Sequence, residues 1–524
     1  MRITLASAVF AATALLPLDS KADVITDWNQ TTVDEIRKLG LGPNPASRTL
    51  AIAHIAAYEA VNSLNQTHEP YHAALRVTSP ASAEAAAASA FHLALVLLFP
   101  GEKSTLDAAY AQSLEEIPDG TARANGIALG EASAVAIFTA RIGDGSATAA
   151  TYPGSTDPGK WRPTPSLLQA ALEPGWREVA PFALPKPEHF RPAPPPAISS
   201  TEFATAYLET QSLGKNDSAS RTAEQTNIAN FWKQATHVPL NAIARSVANA
   251  RSLTLPENAR LFALLNITIA DTRIAAWDAK YEYGYWRPIT AITTTTDYGN
   301  ATAVPDATWT PLLETPNHPE YPSGHSTTGA GGLRTLSTFF GSDAVSFAVG
   351  SDTAPGVTRG FVKFTDAEQE NADSRIYGGI HNRFSNDIGD ALGHQIADYV
   401  SANYLKELSP SADTNGQGGE GGAAEAAGAS SSAAGADSSA AGDSGSNLGD
   451  AAGVGGSGST GGTGGAGGST AGAAGKPPVP NLPDPGTDQS NSCAIRGPSR
   501  PWGLFGMTLT LSAALLTVRR RRSR

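Results

Sequence analysis

Three short segments in the second half of the chain collect residue types that bind tetrahedral anions. They are Lys280 and, seven positions on, Arg287-Pro288; Pro322-Ser323-Gly324-His325; and Ser374-Arg375 followed by His381. Positions seven apart share a helix face, so Lys280 and Arg287 point the same way if one helix runs through both. The Pro-Ser-Gly-His run reads as a turn that opens a helix at about Ser326. There Gly324 lets backbone N–H groups approach an anion, the helix N-terminus favours negative charge, and Ser323 adds a hydroxyl donor. Arg375 contributes a second guanidinium fork. Of the two imidazoles, one can bond axially to a bound oxyanion. The other, with an ordinary pKa of about 6.5, can move protons near neutral pH. The set suits phosphate or vanadate. No carboxylate cluster, Cys/His set or Gly-x-Ser-x-Gly elbow competes with it.

The elements that must hold these residues read as helices. An Ala-rich amphipathic run covers 50–64, with Ser47 as its cap, and similar stretches cover 82–98, 103–116 and 121–142. A second set covers 201–213, 223–236, 240–253, 257–279, 327–340 and 385–405. Between the sets, residues 152–196 hold twelve prolines, which excludes a continuous helix and predicts an irregular connector. No strand-period alternation of any length stands out. The expectation is an all-α body of two helical bundles, 23–198 with the connector and 199–408 with the motifs. The oxyanion site falls in the C-terminal bundle.

Composition narrows the class. The 524 residues carry 37 Lys+Arg against 49 Asp+Glu, a net charge of −12, which argues against nucleic acid as a partner. One Cys excludes an internal disulfide framework, a Cys-rich zinc site and a thiolate-held cluster. The ends read as address rather than fold. Residues 1–22 have a basic start, an apolar run and small residues before Asp23, the pattern of a secretory signal peptide. Residues 409–492 are nearly all Gly, Ala, Ser, Thr and Asp before a Pro-rich end, a composition that predicts a disordered tether. Residues 493–524 hold Cys493, an apolar run and a terminal Arg cluster, which predicts a membrane anchor with its arginines on the cytoplasmic side. The tail resembles the surface-sorting segments of exported bacterial proteins, including the myxobacterial type. That resemblance implies sorting machinery as a partner and a cell-surface or outer-envelope location, with release after C-terminal processing as a variant.

The three anion-binding segments, in this order and with these internal spacings, resemble the signature shared by vanadium-dependent haloperoxidases and type 2 phosphatidic acid phosphatases. The similarity extends to 54–62, to Trp161-Arg162-Pro163-Thr164-Pro165 and to 258–288, as in soluble bacterial members. It implies two bundles of the vanadium chloroperoxidase type. By the same resemblance Lys280, Arg287 and Arg375 hold the equatorial oxygens, and Ser323 and the Gly324 N–H add hydrogen bonds. His381 is the axial vanadium ligand in a peroxidase, or the phosphorylated nucleophile in a phosphatase. His325 is the general acid–base. Trp277 matches a halide-pocket aromatic, and His318 falls where bromoperoxidases carry His and chloroperoxidases Phe, so bromide or iodide is favoured over chloride. Where the family often has Asp four places after the last His, this chain has Ser385, with Asp387 two further on. Where chloroperoxidases support the acid–base His with an Asp shortly after a Trp, this chain has Lys233-Gln234-Ala235 after Trp232.

Three functions stay open at this point. The first is an exported haloperoxidase using vanadate, hydrogen peroxide and a halide to make hypohalous acid. The second is an acid phosphatase without a metal cofactor, cleaving a phosphate ester. The third is a non-catalytic scaffold displayed at the surface. His54, His68, His72, His92, His189, His237 and His394 have no ligand spacing and read as structural or surface residues.

Overall fold

A computed structural model describes residues 23–72 and 75–408. The signal-like, tether and anchor-like segments lie outside the described residues. Thirteen α-helices and one two-stranded hairpin make up the described body. The first five helices are α1 (Val24–Leu39), α2 (Pro43–Asn65), α3 (Ala83–Leu98), α4 (Lys103–Glu115) and α5 (Thr121–Ala140). After the connector come α6 (Thr201–Leu213), α7 (Ala223–Phe231), α8 (His237–Arg251), α9 (Leu255–Tyr283) and α10 (Pro288–Thr293). The last three are α11 (Gly324–Phe340), α12 (Phe364–Tyr377) and α13 (Arg383–Asn403). Among the described residues, no helix is long and apolar enough to cross a membrane.

The body is mostly helical, as its periodicity implies. Several details differ. α2 starts at Pro43 after Gly42, not at Ser47, whose hydroxyl donates inside the helix to the Asn44 carbonyl. Proline already carries the helical φ and lacks the N–H that a first turn leaves unpaired, so Pro43 nucleates earlier than a serine cap would. α2 is also buried on every side rather than amphipathic. α1 and α12 are helices that sequence periodicity did not flag. Residues 347–350 and 358–361 pair as the antiparallel strands β1 and β2, each four residues long and too short to show alternation.

α9 is the spine. A capping box between Thr254 and Glu257 starts it, and Gly284, at φ 56°, ends it. It packs on α2 on one side and on α11 and α13 on the other, so one hydrophobic core runs through both halves of the body. α11 and α13 approach closely because Gly393 faces the Thr327 carbonyl, where a Cβ would collide with backbone. The connector is irregular, with one short 3-10 turn at Pro174–Glu178, and α9 fastens it down. The Asp271 carboxylate accepts from the N–H groups of Phe182, Ala183 and Leu184 at 2.6–2.8 Å. Asp278 accepts two bonds from Arg191, at 2.6 and 2.7 Å. Both clamps oblige the connector to lie along the helix that carries Lys280.

Candidate active site

The seven-residue step from Lys280 to Arg287 does not run along one helix. α9 stops at Tyr283, the chain turns through Gly284, and Arg287 caps α10. Gly284 permits the left-handed backbone that makes this turn. Both side chains nevertheless enter the same buried region. Ser323 is the N-cap of α11, so that helix opens at Gly324, slightly before the expected Ser326. The Ser323 N–H is tied to the Ser385 carbonyl at 3.0 Å, which docks the α11 N-terminus against the start of α13. Arg375 comes from the last turn of α12 and His381 from the loop before α13.

Lys280, Arg287, Ser323, Gly324, Arg375 and His381 are all buried, and His325 is nearly so. Their hydrogen bonds divide their roles. Lys280 donates its three ammonium hydrogens to carbonyls, of Pro319 at 3.0 Å, Glu320 at 2.9 Å and Pro322. It therefore shapes the segment before Ser323 and adds charge, with no hydrogen left over. Arg287 donates to the carbonyls of His318 and Ile380, both at 2.8 Å, and its Nη1 lies 3.3 Å from His381 Nε2. Arg375 gives Nε to Ser374 Oγ at 3.1 Å and Nη2 to the Trp232 carbonyl at 3.2 Å. Its Nη1 makes no hydrogen bond among the described residues. Burial lowers Arg287 to about 10 and Arg375 to about 9, so both remain cations at neutral pH.

Two residues not read from the sequence complete the arrangement around the histidines. Glu320, wholly buried, accepts from His381 Nδ1 at 3.0 Å and from the Asn382 N–H at 2.9 Å. Nδ1 thus carries the hydrogen, and Nε2 presents a lone pair beside Arg287. Burial pushes the Glu320 carboxyl up, opposed by the Asn382 N–H and by the charges of Arg287 and Lys280. The second addition is a backbone group. His325 Nε2 donates to the Gln234 carbonyl at 3.0 Å, which leaves Nδ1 as the basic atom. The carboxylate absent after Trp232 is therefore replaced by a carbonyl two residues on. Burial, then the Arg375 and Arg273 charges, hold His325 well below its ordinary value. Burial and Arg287 do the same to His381, so both rings are neutral at pH 7.

Trp277 and His318 stand side by side, ring centroids 4.8 Å apart; His318 Nδ1 donates to the Pro319 carbonyl at 3.1 Å, and Arg287 Nη2 lies 3.3 Å from His318 Nε2. Trp277 Nε1 donates to the Leu172 carbonyl at 3.3 Å, so the connector sets one edge of this wall. Trp161 is buried, while Arg162 donates to the Thr156 carbonyl and Thr294 Oγ1 at the surface. Asp387 faces Arg383 and Glu209 outside the cationic cluster. Glu320 could have been noticed as an ionisable residue inside the His318–Ser323 segment. The Gln234 carbonyl has no sequence signal.

Residues 260–409 match the family model of the VCPO second helical-bundle domain, the bundle that carries every residue named above from Arg273 to His381. This bundle resembles the second helical bundle of vanadium chloroperoxidase. A stretch of 77 residues is 34% identical to the vanadium chloroperoxidase of Curvularia inaequalis, covering 14% of this chain and 13% of that protein's length. A solved structure described as the first bacterial vanadium-dependent iodoperoxidase superposes with a TM-score of 0.65 at 27% identity, over 74% of this chain and 98% of that one. An apo bacterial vanadium-dependent chloroperoxidase superposes with a TM-score of 0.57 at 18% identity, over 69% of this chain and 94% of that one, a likeness of fold. The two-bundle fold of the vanadium haloperoxidases is therefore shared by this chain.

Proposed function

We propose that this chain is a vanadate-dependent haloperoxidase that oxidises iodide or bromide with hydrogen peroxide to hypohalous acid. One observation carries the reading: His381 Nε2 is held as a lone pair by Glu320, beside Arg287 and within a cluster that includes Arg375 and Lys280. Those groups fit vanadate. Ser323 and the Gly324 N–H offer neutral donors at the α11 N-terminus, where the helix dipole favours an anion. Bound vanadate would supply Lewis-acid activation of hydrogen peroxide. The chain's own work is then to orient and neutralise. Arg287 and Arg375 would hold and neutralise the anion, and Lys280 holds the Pro319, Glu320 and Pro322 carbonyls in place. His325 takes a proton at Nδ1 and returns it, its other nitrogen fixed by Gln234. The Trp277–His318 wall limits water on the halide side.

The same donors would take phosphate, so a phosphatase acting through phospho-His381 is the second reading. The likeness to an iodoperoxidase along nearly all of that protein favours the first. The test is halogenation of a dimedone-type acceptor by the purified protein with peroxide and iodide or bromide, with and without orthovanadate. p-Nitrophenyl phosphate hydrolysis is followed on the same sample. Vanadate-dependent halogenation that disappears in His381→Ala is the expected result. Ester hydrolysis without vanadate, and no halogenation with it, would overturn the peroxidase reading.

The place of action we propose is the cell exterior, addressed by residues 1–22 and retained by residues 493–524. Recovery of the protein from the cytosol on fractionation would sink that proposal.

A further inference from the structure

Arg273 stands seven residues before Lys280 on α9, with Trp277 between them on the same face. It is 3% exposed, its Nη2 has no partner, and its guanidinium makes no hydrogen bond among the described residues. A buried guanidinium with its donors uncommitted is costly, and in native structures such a group calls for an explanation. It is not alone. Both ring nitrogens of His237 and the Thr236 hydroxyl, 2% and 1% exposed, are equally without partners.

Arg273 reaches the site directly, and Thr236 borders the first turns of α11, its methyl 3.8 Å from a Cβ placed on Gly329. A Cβ placed on Gly324 would lie 3.2 Å from Arg273 Nη1 and 3.6 Å from the Trp277 ring, so Arg273 reaches the α11 N-terminus from the Trp277 side. The segment carrying Thr236 and His237 also carries Gln234, whose carbonyl holds His325. The Arg273 charge lies near enough to act on both His237 and His325.

We propose that Arg273, Thr236 and His237 form a niche for the halide, beside the oxyanion cradle and distinct from it. This inference rests on the haloperoxidase reading. All three can donate, which is what an anion needs. The cradle already has Arg287, Arg375, Ser323 and the Gly324 N–H for a polyatomic anion. Arg273 instead looks onto an aromatic wall, its guanidinium carbon 5.7 Å from the Trp277 ring centroid. A large, polarisable, monoatomic anion such as iodide or bromide suits one guanidinium, two weaker donors and a soft surface.

Two measurements test the niche. In crystals of the full protein soaked in sodium bromide, anomalous scattering should place bromide at about hydrogen-bond distance from Arg273 Nη2. In solution, Arg273→Met should raise the halide KM about tenfold or more, the loss expected for one charge-assisted hydrogen bond. Its orthovanadate Kd, measured by calorimetry without peroxide or halide, should stay within about threefold of wild type. Arg273→Lys and the near-isosteric Thr236→Val should raise the halide KM less, and they carry the test if Arg273→Met does not fold. A parallel rise in vanadate Kd would make Arg273 an oxyanion ligand and overturn the proposal. So would an unchanged halide KM, or bromide absent from the niche. If wild type oxidises no halide, the functional reading fails, whereas the bromide position still decides the niche.

Discussion

Two buried polar clusters share α9, one turn pair apart, and they are built on opposite principles. Around Asn266, amides close on each other. Asn29 donates to Asn241 at 2.7 Å, Asn241 and Asn266 exchange bonds at 3.0 and 3.1 Å, and Arg245 donates to Asn29 Oδ1. His54 Nε2 joins at 2.8 Å from Asn29. Each amide consumes its neighbour's capacity, which fixes the packing of α1, α2, α8 and α9. Around Arg273 and Arg375 the donors are charged and several are left over. Amides that satisfy one another hold a fold together, with only His54 Nδ1 at their edge left without a partner among the described residues. A cluster that keeps donors in reserve needs a ligand to complete it.

The sharpest way to break the second cluster is through its positioning residue. Glu320→Gln leaves the shape but no longer fixes the His381 tautomer. Vanadate affinity should fall about 10- to 100-fold, the usual cost of an outer-shell partner. Glu320→Asp should restore part of it. A Kd within twofold of wild type in Glu320→Gln would show that Glu320 does not set His381. The first cluster should respond only in stability. Asn266→Ala leaves Asn241 short of two bonds, and unfolding free energy should drop by about 1–3 kcal/mol in denaturant titration. Its orthovanadate Kd should not change, and a large change would mean that the two clusters are coupled through α9. The smallest effect is electrostatic. His325 is held below its ordinary pKa, so as pH falls through 6.5 its ring should stay neutral and protonate only lower. In the vanadate-free protein, nuclear magnetic resonance should show this. Arg273→Met removes a cation that opposes the imidazolium, so the His325 midpoint should move up. An unchanged midpoint would place Arg273 farther from His325 than the structure does.

The two clusters also differ in how legible they were. The motif residues stood out because charge and glycine at fixed spacing are rare inside an apolar pattern, and the structure brings Lys280, Arg287, Ser323, Gly324, Arg375 and His381 into one region. Seven residues forward from Lys280 the helix has already ended at Gly284, whereas seven residues back the same spacing gives Arg273. Arg273 was hidden because an arginine in a helix is ordinarily a surface residue, and burial is not written in a single sequence. His237, read as structural or surface, is a buried residue with both ring nitrogens unpartnered. The hairpin at 347–361 escaped because its strands take their register from each other and from the core beneath Phe347, which no local pattern reports.

Lys280 carries a consequence for chemical labelling. Its ammonium group is enclosed by three carbonyls, while lysines such as Lys103 have most of their side chain in water. Amine-directed reagents should mark the surface lysines quickly and leave Lys280 untouched until the body opens. Mass spectrometry of the peptide containing Lys280 would then report how often the interior of this protein is breached, with or without an anion in place.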